Sequence, residues 1–379
     1  MKITQRKWQV NDGWLPSGID AVDPDIQLVL IFGSGEILKQ QERIQQIERA
    51  YPNAFLMGCS TAGEIMDTRV FDGSIVLTAV HFDHTQVQGA NIKINGEKDS
   101  VVLGNKLAQM IRHEGLVHAF VISEGLNVNG SDLVKGLTQV LPPEVTLTGG
   151  LSGDDAQFQK TLVIAEGKAQ IDVLSIIGLY GDRLRVSFGS LGGWDPFGPE
   201  RIITRSQGNV LYELDGKSAL ELYKRYLGES AKGLPATGLL FPLTLRTQED
   251  DIPIVRTILS IDEKEQSMTF AGTMPQGAHA RLMKANFDRL IDGASGAAKI
   301  SSGSTAAHSP DLAVLISCVG RKLILKQRIE EEVEAVREIL GQNAVMTGFY
   351  SYGEISPFKP GVKCGFHNQT MTITTFTEM

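Results

Sequence analysis

Val345-Met346-Thr347-Gly348-Phe349-Tyr350-Ser351-Tyr352-Gly353-Glu354-Ile355 is an apolar strand that empties into a glycine turn carrying an acid. The same pattern stands in the first half of the chain as Phe55-Leu56-Met57-Gly58-Cys59-Ser60-Thr61-Ala62-Gly63-Glu64-Ile65. A shorter version, Leu147-Thr148-Gly149-Gly150-Leu151-Ser152-Gly153-Asp154-Asp155, lies between them. Such recurrence is the mark of an internal repeat.

The context of each copy repeats too. Leu28-Val29-Leu30-Ile31-Phe32-Gly33 and a helical stretch around Ile37, Ile44 and Ile47 precede the first copy. The last follows Leu312-Ala313-Val314-Leu315-Ile316-Ser317 and a helix with Ile329, Val333, Val336 and Leu340, whose spacings of four, three and four put one apolar stripe on one face before Gly341 stops it. The middle copy has His118-Ala119-Phe120-Val121-Ile122-Ser123, then Ser131 as N-cap before Leu133, Val134, Leu137 and Leu141. The expected fold is α/β, with two domains built from repeated β-α-β-β units, mixed sheets and a shared ligand cleft. Residues 28–83 and 312–377 are expected to match, each closing with an alternating strand (74–82 and 370–376), as a sheet with one covered face requires.

A chain of 379 residues divides into about two domains. The punctuation Gly192-Gly193-Trp194-Asp195-Pro196-Phe197-Gly198-Pro199 places the joint near residue 205, giving domains 1–205 and 206–379. Beyond it, Ala219, Leu220, Tyr223 and Leu227 read as a helix ending at Gly228, and the runs 252–259 and 268–272 as a hairpin turning at Asp262-Glu263-Lys264-Glu265. A hydrophobic content of 42% with 21% charged residues suits a packed globule. The net charge of −8, with scattered Lys and Arg, argues against a nucleic-acid partner. Apolar runs fall short of the roughly 18 residues that span a bilayer, and the first residues lack a signal-peptide core. A cytoplasmic protein with no membrane partner is expected, and Cys59, Cys318 and Cys364, widely separated, suit a reducing compartment.

The chain resembles the FIST family, with FIST N and FIST C regions over nearly all its length. The resemblance is carried by Gly58-Cys59-Ser60-Thr61-Ala62-Gly63-Glu64 and, in the second half, by Phe270-Ala271-Gly272-Thr273-Met274-Pro275-Gln276-Gly277, the stretch 282–294, Ser317-Cys318-Val319-Gly320-Arg321-Lys322, 348–357 and His367-Asn368-Gln369-Thr370-Met371-Thr372. It implies a sensory module that binds a small molecule, such as an amino acid, and is often joined to kinase, cyclase or methyl-accepting output domains. A stand-alone chain of this size is also similar to the NosP-type haemoproteins. That likeness implies haem b held by one histidine, nitric oxide as ligand and a sensor histidine kinase as partner. Apart from it, a homodimer is an expected assembly.

Haem needs an axial imidazole, an apolar slot and cations for its propionates. Placed in the first turn of a helix after Pro275-Gln276-Gly277, His279 is the expected iron ligand, with Leu282, Met283 and Phe287 as an apolar wall and Arg281 and Lys284 for the propionates. The bland readings are a capping His279; His81 and His84 on opposite faces of a strand; His113 and His118 at a surface helix end; His308 in a loop; and His367 bonding backbone in a turn. An amino-acid-like ligand would instead engage Gly58, Cys59, Ser60, Glu64, Tyr350, Tyr352 and Glu354, the turn amides taking its anion and the two glutamates its amine. Against this stands a structural reading, with glycines supplying φ > 0 and carboxylates capping nearby amides. Cys59 as the nucleophile of a hydrolase is a further alternative, though its flanks suit a packing residue; a pure scaffold is another. No Walker or dinucleotide-binding sequence accompanies the turns.

Overall fold

The computed structural model describes residues 1–379 except 17, 20–21, 247–252 and 304–308. The repeat predicted for the two ends is realised three times. In unit I, Leu28–Gly33 pairs in parallel with Phe55–Ser60 and antiparallel with Ser74–His81, which pairs in turn with Lys2–Gln9. Unit II repeats this with Leu116–Ser123, Thr146–Leu151, Val173–Tyr180 and Gln86–Lys93. Unit III does so with Leu312–Cys318, Val345–Ser351, Met371–Glu378 and Leu184–Leu191. The parallel pair of each unit is bridged by a helix, as such a pair requires: Gln41–Ala50, Gly130–Val140 or Ile329–Leu340.

After the motif strand, each unit hands a short hairpin to a neighbour's sheet. Glu64–Met66 of unit I joins Val345–Ser351 of unit III, Val163–Ala165 of unit II joins Phe55–Ser60 of unit I, and Gly353–Pro357 of unit III joins Thr146–Leu151 of unit II. The exchange closes a three-membered ring. Inside it the sheets share one apolar core, with Leu30 and Met57, Phe120 and Ile177, and Val314 and Phe349 drawn from the three units. The outer faces are covered by the helices. The expectation of one covered face is therefore corrected: Ser74–His81 and Met371–Glu378 are buried on both sides along most of their length. Alternating threonines meet across units instead, Thr78 bonding Thr347 and Thr374 bonding Thr148, each at 2.9 Å. His118 is also corrected. It is fully buried on the unit II strand, bonded to Thr146 and Thr148 Oγ1 at 2.6 and 3.1 Å, and burial pushes its pKa down to about 3.

Residues 195–284 interrupt unit III as an antiparallel sheet whose first and last strands are paired, Asp195 opposite Lys284. Its outermost strands, Ile254–Arg256 and Ile258–Asp262, are consecutive in the chain, so Thr257 draws the two edges together and the sheet curls into a small barrel with its own core. The predicted helix, Ala219–Leu227 ending at Gly228, packs on it. The predicted hairpin survives as Ile258–Asp262 with Ser267–Phe270, while Ile254–Arg256 pairs elsewhere; Ile252 lies outside the described residues. No helix among the described residues is long and apolar enough to cross a membrane.

Candidate functional site

Where the barrel leans on units II and III, a cleft of about 750 Å³ opens. Unit II supplies Gly125–Gly130, the loop between a sheet strand and the helix Gly130–Val140. Asn129 rather than Ser131 caps that helix, its Oδ1 accepting from the Ser131 and Asp132 amides at 3.0 and 3.2 Å. Unit III supplies Cys318, Val319, Gly320, Phe366 and Asn368, and Tyr352 from the glycine turn. The Tyr352 ring stacks on Phe158 at 4.5 Å, and its hydroxyl donates to Asp154, which also accepts from the amides of Phe158, Gln159 and Lys160 at 2.7–2.9 Å. The barrel closes the cleft with 233–236, Leu239, Thr257, Ile258, Leu259 and Phe270–Gly272.

Among the described residues, no Asp, Glu, Lys, Arg or His lines this cleft. Thr257 and Asn368 do; they are 6% and 1% exposed, and Thr257 Oγ1 and Asn368 Oδ1 have no hydrogen-bond partner. Buried polar atoms are nearly always paired, and an orphan costs about 1–3 kcal/mol. One orphan belongs to the barrel wall and the other to the unit III wall, and both mark groups that a ligand between them would satisfy. At the mouth, Leu126, Phe158, Leu259 and Leu323 stay exposed although large and apolar.

Of the residues expected from the glycine turns, Tyr352 alone lines this cleft. Gly58, Cys59, Ser60, Glu64, Tyr350 and Glu354 are buried in the ring, where they hold structure together. Ser60 Oγ accepts from the Leu162 amide at 2.8 Å. Glu64 accepts from Thr61 Oγ1 and Ser74 Oγ, both at 2.5 Å, and Glu354 from Ser351 Oγ and Thr370 Oγ1 at 2.8 and 2.9 Å. Burial outweighs these donors and pushes both carboxyls up to about 8. Tyr350 donates to Glu332 at 2.7 Å, itself paired with fully buried Arg321. Cys59 sits in the shared apolar core and burial raises its thiol well above the ordinary range, as befits a packing residue.

The helical setting expected for His279 is overturned. His279–Lys284 is a strand between Asp195–Gln207 and Leu243–Arg246, and its side chains follow a two-residue period in place of a helical face. Ala280 and Leu282 enter the barrel core, while His279 points outward, partly exposed, 3.6 Å from Glu200. Arg281 donates to Gly198 O at 3.0 Å, Lys284 is exposed, and Phe287 opens the next helix half in solvent. Met283 is buried. These residues form no common slot, so they do not fit a haem. Among the described residues no group of three or more His, Cys, Asp or Glu is placed to hold a metal ion. His367 is buried, its Nε2 bonded to Ser356 O at 2.7 Å in keeping with the backbone-bonding reading, and His308 lies outside the described residues.

Thr257 and Asn368 escaped sequence reading for different reasons. Asn368 stands in a stretch that carries the family resemblance, and two consecutive amides before a strand are an available signal. Thr257 had none, because its place depends on how a distant sheet closes.

The FIST N domain matches residues 27–217 and the FIST C domain residues 219–357. An uncharacterised protein of Methanocaldococcus jannaschii is 26% identical over 208 residues, 51% of this chain and 40% of that protein, so the chain spans less than half of this relative's length. Two solved structures align over nearly their whole length: a chorismatase at 10% identity and TM-score 0.35 (99% of this chain, 98% of that one), and a cyanuric acid hydrolase from A. caulinodans at 9% and 0.36 (99% of each). At such scores neither likeness bears on chemistry.

Proposed function

The chain belongs to the FIST family, with both of its domains, and from that premise we propose that it is a ligand-sensing signal-transduction protein whose small-molecule ligand binds between the barrel and the ring. The observation that carries this is the cleft itself: uncharged, apolar at the mouth, with one orphaned polar group on its barrel wall and another on its unit III wall. Because one wall belongs to the inserted barrel and the others to units II and III, a ligand that touches both favours one placement of the barrel over others, which is what a two-state signal needs.

The finer proposal, haem b sensing nitric oxide on behalf of a histidine kinase, rests on the resemblance alone. The test is a thermal-shift screen of small organic molecules followed by hydrogen exchange. A ligand of the cleft should slow exchange at both Leu126–Asn129 and the facing Leu234–Ala236 segment, and Leu259→Trp at the mouth should weaken it. Hits that protect neither segment remove the cleft from the role. A Soret band on reconstitution that shifts with nitric oxide would favour the haem reading instead.

A further inference from the structure

Arg256, the last residue of the strand Ile254–Arg256, precedes orphaned Thr257, and its guanidinium packs against two residues of the cleft lining, Phe366 and Gly272. It is 5% exposed, stands over the ring of cleft-lining Phe366, and is so close to Gly272 that a Cβ there would sit 2.8 Å from Nε. Its acceptors are all neutral. Nε donates to Thr273 O at 3.3 Å, Nη1 to Val255 O and Phe366 O at 3.2 and 3.0 Å, and Nη2 to Ser131 Oγ at 3.3 Å. Buried charges are ordinarily paired, and burial without a carboxylate partner pushes this guanidinium down to about 10, leaving it charged at neutral pH.

The opposite wall is backed by acids that are already satisfied. Asp154 is filled by three amides and Tyr352, and Glu124, raised by burial, accepts from the Leu126 and Asn127 amides. Arg256 is thus a buried positive charge beside the cleft with no carboxylate partner of its own, and it acts across a wall of low polarity where its field is little screened.

We propose that the ligand is a small monocarboxylate with an apolar body and one hydrogen-bond donor beside the carboxylate. The carboxylate lies at the Gly272 and Thr257 end, accepting from Thr257 Oγ1 in the field of Arg256. The neighbouring donor satisfies Asn368 Oδ1, and the body lies between Phe158 and Leu259. The proposal rests on the cleft being the ligand site, and the experiment separates the two.

Nile red, a neutral apolar dye, reports on the cleft alone: its fluorescence should rise with wild type and not with a Leu259→Trp, Leu323→Trp protein. Mandelate, phenylacetate, phenylacetamide and phenethylamine share one ring and differ in the head group. Displacement of the dye should follow that order, the carboxylate about tenfold tighter than the amide and the amine weakest. Arg256→Met should abolish the preference for carboxylate over amide while the amide still binds. Should that variant not fold, Thr257→Val, of the same shape, should leave the free protein at least as stable and weaken carboxylates about tenfold. Dye binding with amide and carboxylate equal, or with the amine preferred, overturns the charge assignment and leaves the cleft standing. No dye and no head group binding overturns both.

Discussion

Three glycines do the same work in the three units. A Cβ on Gly58 would stand 1.9 Å from Ile31 O, on Gly149 1.9 Å from Val121 O, and on Gly348 1.8 Å from Leu315 O. Each motif strand thus passes its parallel neighbour at a distance only a hydrogen tolerates. Gly348→Ala is expected to lose about 3 kcal/mol or more, the upper end of overpacking costs, whereas Gly35→Ala, whose Cβ would meet Ser60 Cβ at an ordinary 3.6 Å, should change stability by less than about 1 kcal/mol. Urea unfolding of both variants measures the difference, and equal losses would refute the close-approach account. The recurrence of these glycines was legible in the sequence; their reason was not. Turn conformations with φ > 0 were expected, and Gly63 has one at +137°, but Gly58 and Gly348 do not. Close approach depends on a second strand that no local pattern displays.

The barrel is an element that enters and leaves at one place. Asp195 and Lys284 are paired neighbours, so replacing 196–283 by a short Gly/Ser linker should leave the ring folded with a cooperative melt, since the three shared sheets and their core are retained. The same protein should bind no cleft ligand, because the walls at Thr257–Leu259 and Phe270–Gly272 go with the barrel. Circular dichroism and dye binding check both halves, and loss of cooperative melting would show that ring and barrel fold as one. The strand His279–Lys284 shows why part of this element was illegible. Leu282, Met283 and Phe287, three, four and eight residues after His279, suit a helical face, while Ala280 and Leu282 suit a strand; the choice falls to pairing with residues 195–207 and 243–246, far away in sequence. The helices Ala219–Leu227 and Ile329–Leu340 were legible because their stripes and stops are local.

For the molecule as a whole, two pairs of buried groups set opposite limits on pH. Glu64 and Glu354 are raised from 4.5 to about 8, so the folded chain holds their protons more tightly; their contribution is full below pH 4.5 and is lost as pH rises to 8. His118 and His367 are lowered from 6.5 to about 3 and 4, so their contribution is full above 6.5 and is lost as pH falls. Each slope is on the order of 1.4 kcal/mol per pH unit. Between 4.5 and 6.5 two groups of each kind oppose one another, giving a plateau with descents on both sides. Glu64→Gln with Glu354→Gln should flatten the alkaline descent in urea titrations from pH 4 to 9; an unchanged slope would mean that both carboxyls are ionised in the fold. The exchange of hairpins around the ring has a consequence for how the chain is made. Thr146–Leu151 receives its partner Gly353–Pro357 only after some two hundred further residues have been added, and Glu64–Met66 waits longer still, some 280 residues, for Val345–Ser351. Until the ribosome has delivered the last of unit III, the nascent protein carries an uncovered sheet edge and an unattached hairpin. Those are the surfaces a chaperone would need to shield, and a chain cut short before residue 345 leaves them without partners.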